Sequence, residues 1–189
     1  MKRILILGPS GSGKSTLAER IGRVLKIPVI TLDRYFWNPN WEKTPRDEWI
    51  EKVKKLVMEE KWVMDGNYTT GTLAMRVKRA DSIIFIDFPR RISYLRVLTR
   101  RFRYRGKTRP SVADGCPEKI DWEFLEYIWS WRKKRRPQIL RYLKQLDEIK
   151  DVFVLRNQKQ IERFIQLLAI RTSWISKKSA LYSEFVMPE

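Results

Sequence analysis

Residues 8–15 read Gly8-Pro9-Ser10-Gly11-Ser12-Gly13-Lys14-Ser15, and no other stretch constrains the chain as much. The octet fits the pattern G-x-x-x-x-G-K-[ST] at every position. It follows an apolar run, Ile4-Leu5-Ile6-Leu7, and precedes a segment with helically spaced apolar residues at Leu17, Ala18, Ile21, Val24 and Leu25. Strand, glycine-rich turn and helix, in that order, are the context in which this pattern cradles phosphate. The glycines let the backbone curl until successive N–H groups point inward, and the helix aims the positive end of its dipole at the same point. Lysine then bridges the β- and γ-phosphates of a nucleoside triphosphate, and the hydroxyl after it ligates Mg²⁺. ATP and Mg²⁺ are therefore the expected ligands. Gly8, Pro9, Ser10, Gly11, Ser12, Gly13, Lys14, Ser15 and Thr16 are the expected binding residues.

The rest of the chain repeats the alternation that the loop begins. Apolar runs at Val29–Leu32, Trp62–Met64, Ser82–Ile86 and Asp151–Leu155 read as four more strands. Helical spacing predicts helices over 15–26, 45–60, 72–79, 92–102, 121–134, 137–146 and 158–170. Five strands alternating with helices predict an α/β fold with a five-stranded parallel sheet between two helical layers. Residues 34–45, rich in aromatics and proline, read as an ordered loop. Residues 103–120 hold Gly106, Pro110, Gly115 and Pro117 and read as a loop or lid. The expected division is one domain over 1–170, with an acceptor-binding segment at 33–60 and a short lid at 103–121. Residues 171–189 lack clear periodicity and read as a C-terminal tail.

Composition excludes several chemistries. There is no histidine, which rules out His-based acid–base catalysis and the usual zinc sites. A single cysteine, Cys116, allows no internal disulfide and suits a reducing compartment. No run approaches the length of a membrane span, so the expected location is cytoplasmic with no membrane partner. Lys and Arg number 40 against 22 Asp and Glu, a formal charge of +18. Many of the positives fall between Arg90 and Arg141, which points to an anionic partner: nucleotide phosphates or nucleic acid.

Ligands of an open α/β sheet bind at the carboxyl ends of the strands. Asp33, Asp65 and Asp87 stand at three such ends. Asp65 is a candidate to hold Mg²⁺ with Ser15, or to orient a hydroxyl, and Asp33 to take the hydroxyl of an acceptor. Asp87, before Phe88-Pro89, reads as structural. The arginines Arg96, Arg100, Arg101, Arg103, Arg105 and Arg109 lead into the lid, and Arg132 lies near the end of the helix beyond it. Guanidinium groups stabilise charge on a transferring phosphoryl group without moving a proton. Arg100 and Arg132 are the candidates for that role. Tyr35, Phe36, Trp37, Trp41 and Tyr68 follow strand ends, where they either stack a ring of a ligand or form a satellite core.

The P-loop, the Asp65-Gly66 pair after the third strand and the stretch from Asp87-Phe88-Pro89 through Arg96 to Arg100-Arg101 resemble the adenylate-kinase-like group of nucleoside and nucleotide kinases. The resemblance implies that Arg96 and Arg100 face the adenine and the phosphates. A narrower resemblance is to a bacterial subgroup labelled DNA topology modulation protein (FlaR-type). It rests on Leu32-Asp33, Phe36-Trp37, Trp41, Thr44-Pro45-Arg46, Trp62 to Tyr68, Gly115-Cys116-Pro117 and Arg136-Pro137. Asn67-Tyr68 stands where adenylate kinases carry Phe-Pro-Arg, and the lid has no four-cysteine zinc pattern. The leading expectation is a Mg²⁺-dependent kinase acting on a small molecule or nucleotide. The alternative is a nucleic-acid-binding ATPase that affects DNA topology.

Overall fold

A run that is apolar on both faces is stable only where helices cover both sides of its sheet. The structure, a computed structural model, describes residues 1–146 and 149–185, with side chains in the last helix as far as Trp174. In chain order the first half comprises β1 (Arg3–Leu7), α1 (Lys14–Leu25), β2 (Val29–Thr31), α2 (Asp33–Phe36), β3 (Trp37–Asn38), a 3-10 turn (Pro39–Trp41), β4 (Glu42–Lys43) and α3 (Arg46–Met58). There follow β5 (Trp62–Asp65), α4 (Thr69–Arg79), β6 (Ser82–Ile86), α5 (Arg90–Arg103), α6 (Trp122–Lys134), α7 (Arg136–Leu146), β7 (Asp151–Leu155) and α8 (Gln158–Phe185). All five predicted strands join one parallel sheet in the order β2-β5-β1-β6-β7.

Side-chain alternation divides the core into two layers. Leu5 and Leu7 of β1, Trp62 and Met64 of β5, and Ile83 and Phe85 of β6 face Trp49, Val53 and Val57 of α3 and Trp131, Ile139 and Leu143 of α6 and α7. Ile4, Ile6, Val63, Ile84 and Ile86 face Leu17, Ala18 and Ile21 of α1 and Ile161 and Leu168 of α8. The β1 residues Ile4, Leu5 and Ile6 are wholly buried. Truncating any of them to alanine costs roughly 2–5 kcal/mol. β1 lies at the centre of the sheet, with β5 on one side and β6 on the other. The loop after it therefore opens into the crevice at the sheet's carboxyl edge.

The fold differs from the sequence reading in two places. The segment expected as loop is partly regular: α2 leads into an antiparallel hairpin that pairs Trp37 with Lys43 and Asn38 with Glu42. The Thr44 hydroxyl donates to the Phe36 carbonyl at 2.7 Å and closes that hairpin. The last helix does not stop at Ile170 but continues to Phe185. No glycine or proline occurs between Gln158 and Phe185 to end it. Of the tail expected over 171–189, residues 186–189 lie outside the described residues. Among the described residues no helix is long and apolar enough to cross a membrane.

Candidate functional site

The P-loop takes the curled form that its glycines permit. Gly8, Gly11 and Gly13 have φ of 149°, 77° and 94°. A Cβ on Gly11 would collide with the Ser93 carbonyl and would stand 2.8 Å from Val97 Cγ2, so only glycine fits against α5. Gly13 caps α1 without a side chain, and the first turn of α1 holds no acidic residue. The amides of that turn are therefore open to an anion. Lys14 folds back along the loop, its Nζ donating to the Pro9 carbonyl at 3.1 Å. Enclosure by the loop lowers the Lys14 pKa, and the nearby carboxylates of Asp65 and Asp33 oppose that shift.

Ser15 Oγ donates to Asp65 Oδ2 at 2.6 Å. This joins the first turn of α1 to the carboxyl end of β5. Asp65 is 3% exposed, and its Oδ1 has no hydrogen-bond partner among the described residues. Burial raises its pKa, against the Ser15 hydroxyl and the Lys14 ammonium, which lower it. A buried carboxylate with a free oxygen, next to a hydroxyl and a phosphate-binding loop, is a donor set that fits Mg²⁺. The curled loop and its lysine fit a triphosphate.

Asp33 stands in the first turn of α2, across the cleft from the P-loop. Its Oδ1 accepts from the Tyr68 hydroxyl at 2.7 Å, and its Oδ2 from Arg109 Nη2 at 3.0 Å. Phe36 packs against Trp37, Trp49 and Tyr68 with ring centroids 4.9, 5.1 and 4.6 Å away. Phe36 and Tyr68 thus extend the main core beyond Trp49 rather than forming a separate one, Tyr35 is exposed, and Phe36, Trp37, Trp49 and Tyr68 also line the cleft.

The segment expected as a lid at 103–121, whose residues 104–121 link α5 to α6, lies against the β3–β4 hairpin. Asn40 N–H donates to the Gly115 carbonyl at 2.8 Å, Trp41 Nε1 to the Pro117 carbonyl at 2.8 Å, and Cys116 Sγ to the Asn38 carbonyl at 3.2 Å. Glu118, 3% exposed, is the hub of the lid. It pairs with Arg100 at 2.7 Å and with Arg109 at 3.4 Å, and its carbonyl accepts from Arg101. Burial lowers the pKa of Arg100, with the neighbouring Arg109 charge adding to the effect.

Most of the residues singled out in the sequence meet in one cleft of about 1520 Å³, more than the roughly 300–1,000 Å³ of a single small-molecule site. Lys14, Ser15, Asp33, Asp65, Arg96 and Arg100 all line it. Arg96 is tied to the P-loop, donating to the Ser12 carbonyl at 3.0 Å and to Gln158 at 3.1 Å. Arg132 requires a correction. It is exposed on α6 and does not line the cleft, whereas Arg135 does. Trp131 is buried on the cleft side of α6, and Arg135, four residues on, shares that face. Arg132 is turned about 100° away from it. Asp87 holds Arg136 of α7 through two bonds of 2.7 Å. Glu118 had no signal in the sequence beyond being an acid in a basic stretch. Arg109 appeared there only as one of a run, and Arg76 and Asn67 received no role.

The chain thus combines a five-stranded parallel α/β sheet, a P-loop after its central strand and a Ser–Asp pair beside the loop lysine. Its relatives at low identity include kinases. A shikimate kinase of Bacteroides fragilis is 28% identical over 183 residues, covering 89% of this chain and 94% of that one. An adenylate kinase of Methylorubrum extorquens is 26% identical over 115 residues, which are 59% of this chain and 56% of that enzyme, so the match spans just over half its length. The uncharacterized protein YqaC of Bacillus subtilis is 29% identical over 128 residues, 67% of this chain and 70% of that one. Among solved structures, the shikimate kinase of Acinetobacter baumannii in complex with shikimate superposes with a TM-score of 0.58 at 16% identity, covering 94% of this chain and 95% of that one. That likeness establishes the fold. No protein-family model matches the chain.

Proposed function

We propose that this chain is a Mg²⁺-dependent kinase that moves the γ-phosphoryl group of ATP onto a small acceptor. The observation that carries the reading is the convergence in one cleft of Lys14, the Ser15–Asp65 pair, Asp33 and the lid arginines Arg100 and Arg109. The P-loop amides and Lys14 hold the triphosphate. Ser15 and Asp65 would hold Mg²⁺, which supplies charge neutralisation on the phosphates. Asp33 orients the acceptor hydroxyl and takes its proton. Arg100 and Arg109 stabilise negative charge on the group in transit and need no deprotonation to do so. Arg96 braces the P-loop on the nucleotide side. Residues 104–121 close over the cleft and exclude water, which would otherwise compete as the acceptor. The cleft accommodates two substrates at once.

The names of the relatives supply the first acceptors to try: nucleoside monophosphates and shikimate. An ATP-consumption screen over these, nucleosides, sugars and DNA, with Lys14→Ala as control, tests the proposal. The expected result is that one small hydroxyl or phosphate compound raises turnover well above hydrolysis, and that Lys14→Ala abolishes the effect. Turnover stimulated by DNA alone, with no small acceptor active, would replace the kinase with the nucleic-acid-dependent ATPase.

A further inference from the structure

Arg76 of α4 is wholly buried, 0% exposed, yet every partner it has is a backbone carbonyl. It donates to Thr72 O at 3.3 Å, Gly66 O at 2.8 Å, Asn67 O at 2.6 Å and Tyr68 O at 2.8 Å. No ion pair among the described residues includes it. Burying a guanidinium without a counter-charge is unfavourable, and an apolar side chain of similar volume would serve the core better. The charge therefore matters for what its donors fix, and they fix the turn after β5. That turn is strained: Tyr68 has φ 26° and ψ 60°, on the left-handed side that non-glycine residues avoid. The three successive carbonyls held by one planar fork are those of the strained stretch.

The turn reaches the nucleotide half of the cleft through Asn67. Its carboxamide pairs with the first residue of the P-loop in both directions. Asn67 Nδ2 donates to the Gly8 carbonyl at 2.8 Å, and Gly8 N–H donates to Asn67 Oδ1 at 3.2 Å. Gly8 lies close against β6, where a Cβ would stand 2.7 Å from the Ile86 carbonyl, so only glycine fits. The root of the P-loop is thus set from one side by β6 and from the other by the Asn67 carboxamide.

We propose that Arg76 is a positioning residue for the nucleotide site, acting through the Asn67–Gly8 pair to set the root of the P-loop. It orders the turn, the turn presents Asn67, and Asn67 holds Gly8 where the loop amides converge. The inference rests on the triphosphate reading of the P-loop, but not on any acceptor.

Calorimetric titration with MgADP, alongside thermal unfolding without nucleotide, tests it on the wild type, Asn67→Ala, Arg76→Lys and the double variant. Each single variant should bind MgADP about tenfold more weakly, since it forfeits the aligned hydrogen bonds of one step of the path. The double variant should bind no more weakly than the weaker single variant, because both interrupt the same path. Arg76→Met fills the volume without the donors. It leaves the Gly66 and Asn67 carbonyls unpaired and should unfold at a lower temperature, and at temperatures where it is fully folded it should still bind weakly, which a purely structural arginine would not produce. Wild-type affinity in folded Arg76→Lys, or losses that simply add in the double variant, would overturn the proposal. If Arg76→Met does not fold, the Arg76→Lys cycle alone decides. A wild-type chain that fails to bind MgADP defeats the triphosphate reading as well. Wild-type binding that Arg76→Lys leaves unchanged defeats only this inference.

Discussion

Asp65 is buried with one oxygen bonded to Ser15 and the other unpaired, so its charge is costly in the absence of metal. Its folded-state pKa lies above the ordinary carboxylate value, chiefly through burial. The folded state therefore binds the proton more tightly than the unfolded chain does. Stability from this group is present at low pH and is lost as pH rises through the folded-state value. Asp65→Asn removes that dependence. The variant should unfold at a temperature equal to or above the wild type at pH 7, by about 2–4 °C per kcal/mol recovered. Near pH 4 its advantage should shrink. The same variant should lose the Mg²⁺-dependent part of triphosphate binding. Unfolding scans at the two pH values, and titrations with and without Mg²⁺, check both halves. A gap that does not widen with pH would mean that Asp65 is ionised at no cost.

At the scale of elements, the 104–121 segment is fastened at three places. Glu118 clamps it to Arg100 of α5, Arg109 reaches Asp33 of α2, and the 115–117 strip lies on the β3–β4 hairpin. Cys116, the only cysteine and wholly buried, reports on that closure. Glu118→Gln leaves the partly buried Arg100 guanidinium without its carboxylate, while Arg109 keeps Asp33, a loss of about 3 kcal/mol to the fastened segment. Labelling of Cys116 by a small disulfide reagent should accelerate by tenfold or more, about what 1.4 kcal/mol of easier opening gives. The helical content seen by circular dichroism should not change. Trp41→Phe removes one bond from the hairpin side and should accelerate labelling less. If Glu118→Gln labels at the wild-type rate, the strip on the hairpin and the Arg109–Asp33 pair hold the segment without it. None of this was legible in the sequence. Residues 103–120 announced a loop through their glycines and prolines, but its fastening depends on pairs such as Trp41–Pro117, which lie 76 residues apart.

The whole molecule carries a formal charge of +18, an excess of cations that pairing with its own acids leaves unchanged. Net self-repulsion of this size works against the compact state and is screened by salt, with a Debye length of about 10 Å at 0.1 M. The unfolding temperature should therefore rise as sodium chloride is increased from low to physiological concentration. Sulfate should raise it further than chloride at equal ionic strength, and Lys14→Ala should remove the part of that excess that comes from anion binding at the P-loop and leave sulfate's general stabilisation. A temperature that falls with salt would mean that the ion pairs outweigh the repulsion.

The sequence by itself determined the strands, most of the helices and the phosphate-binding loop. These are written in local terms: apolar runs such as Ile4–Leu7, helical spacing from Leu17 to Leu25, and glycines where the backbone must curl. It also placed Asp33 and Asp65 at strand ends. Tertiary structure decided the strand order and which groups meet. Arg135 rather than Arg132 reaches the cleft because α6 buries Trp131 on that side. Glu118 gathers the lid arginines because the lid folds back onto α5. Asn67 turns to the P-loop because Arg76 holds the strained turn behind it. Local patterns set backbone conformation, whereas the partners of a buried charge or carboxamide come from segments far away in the chain, so only the folded packing specifies them.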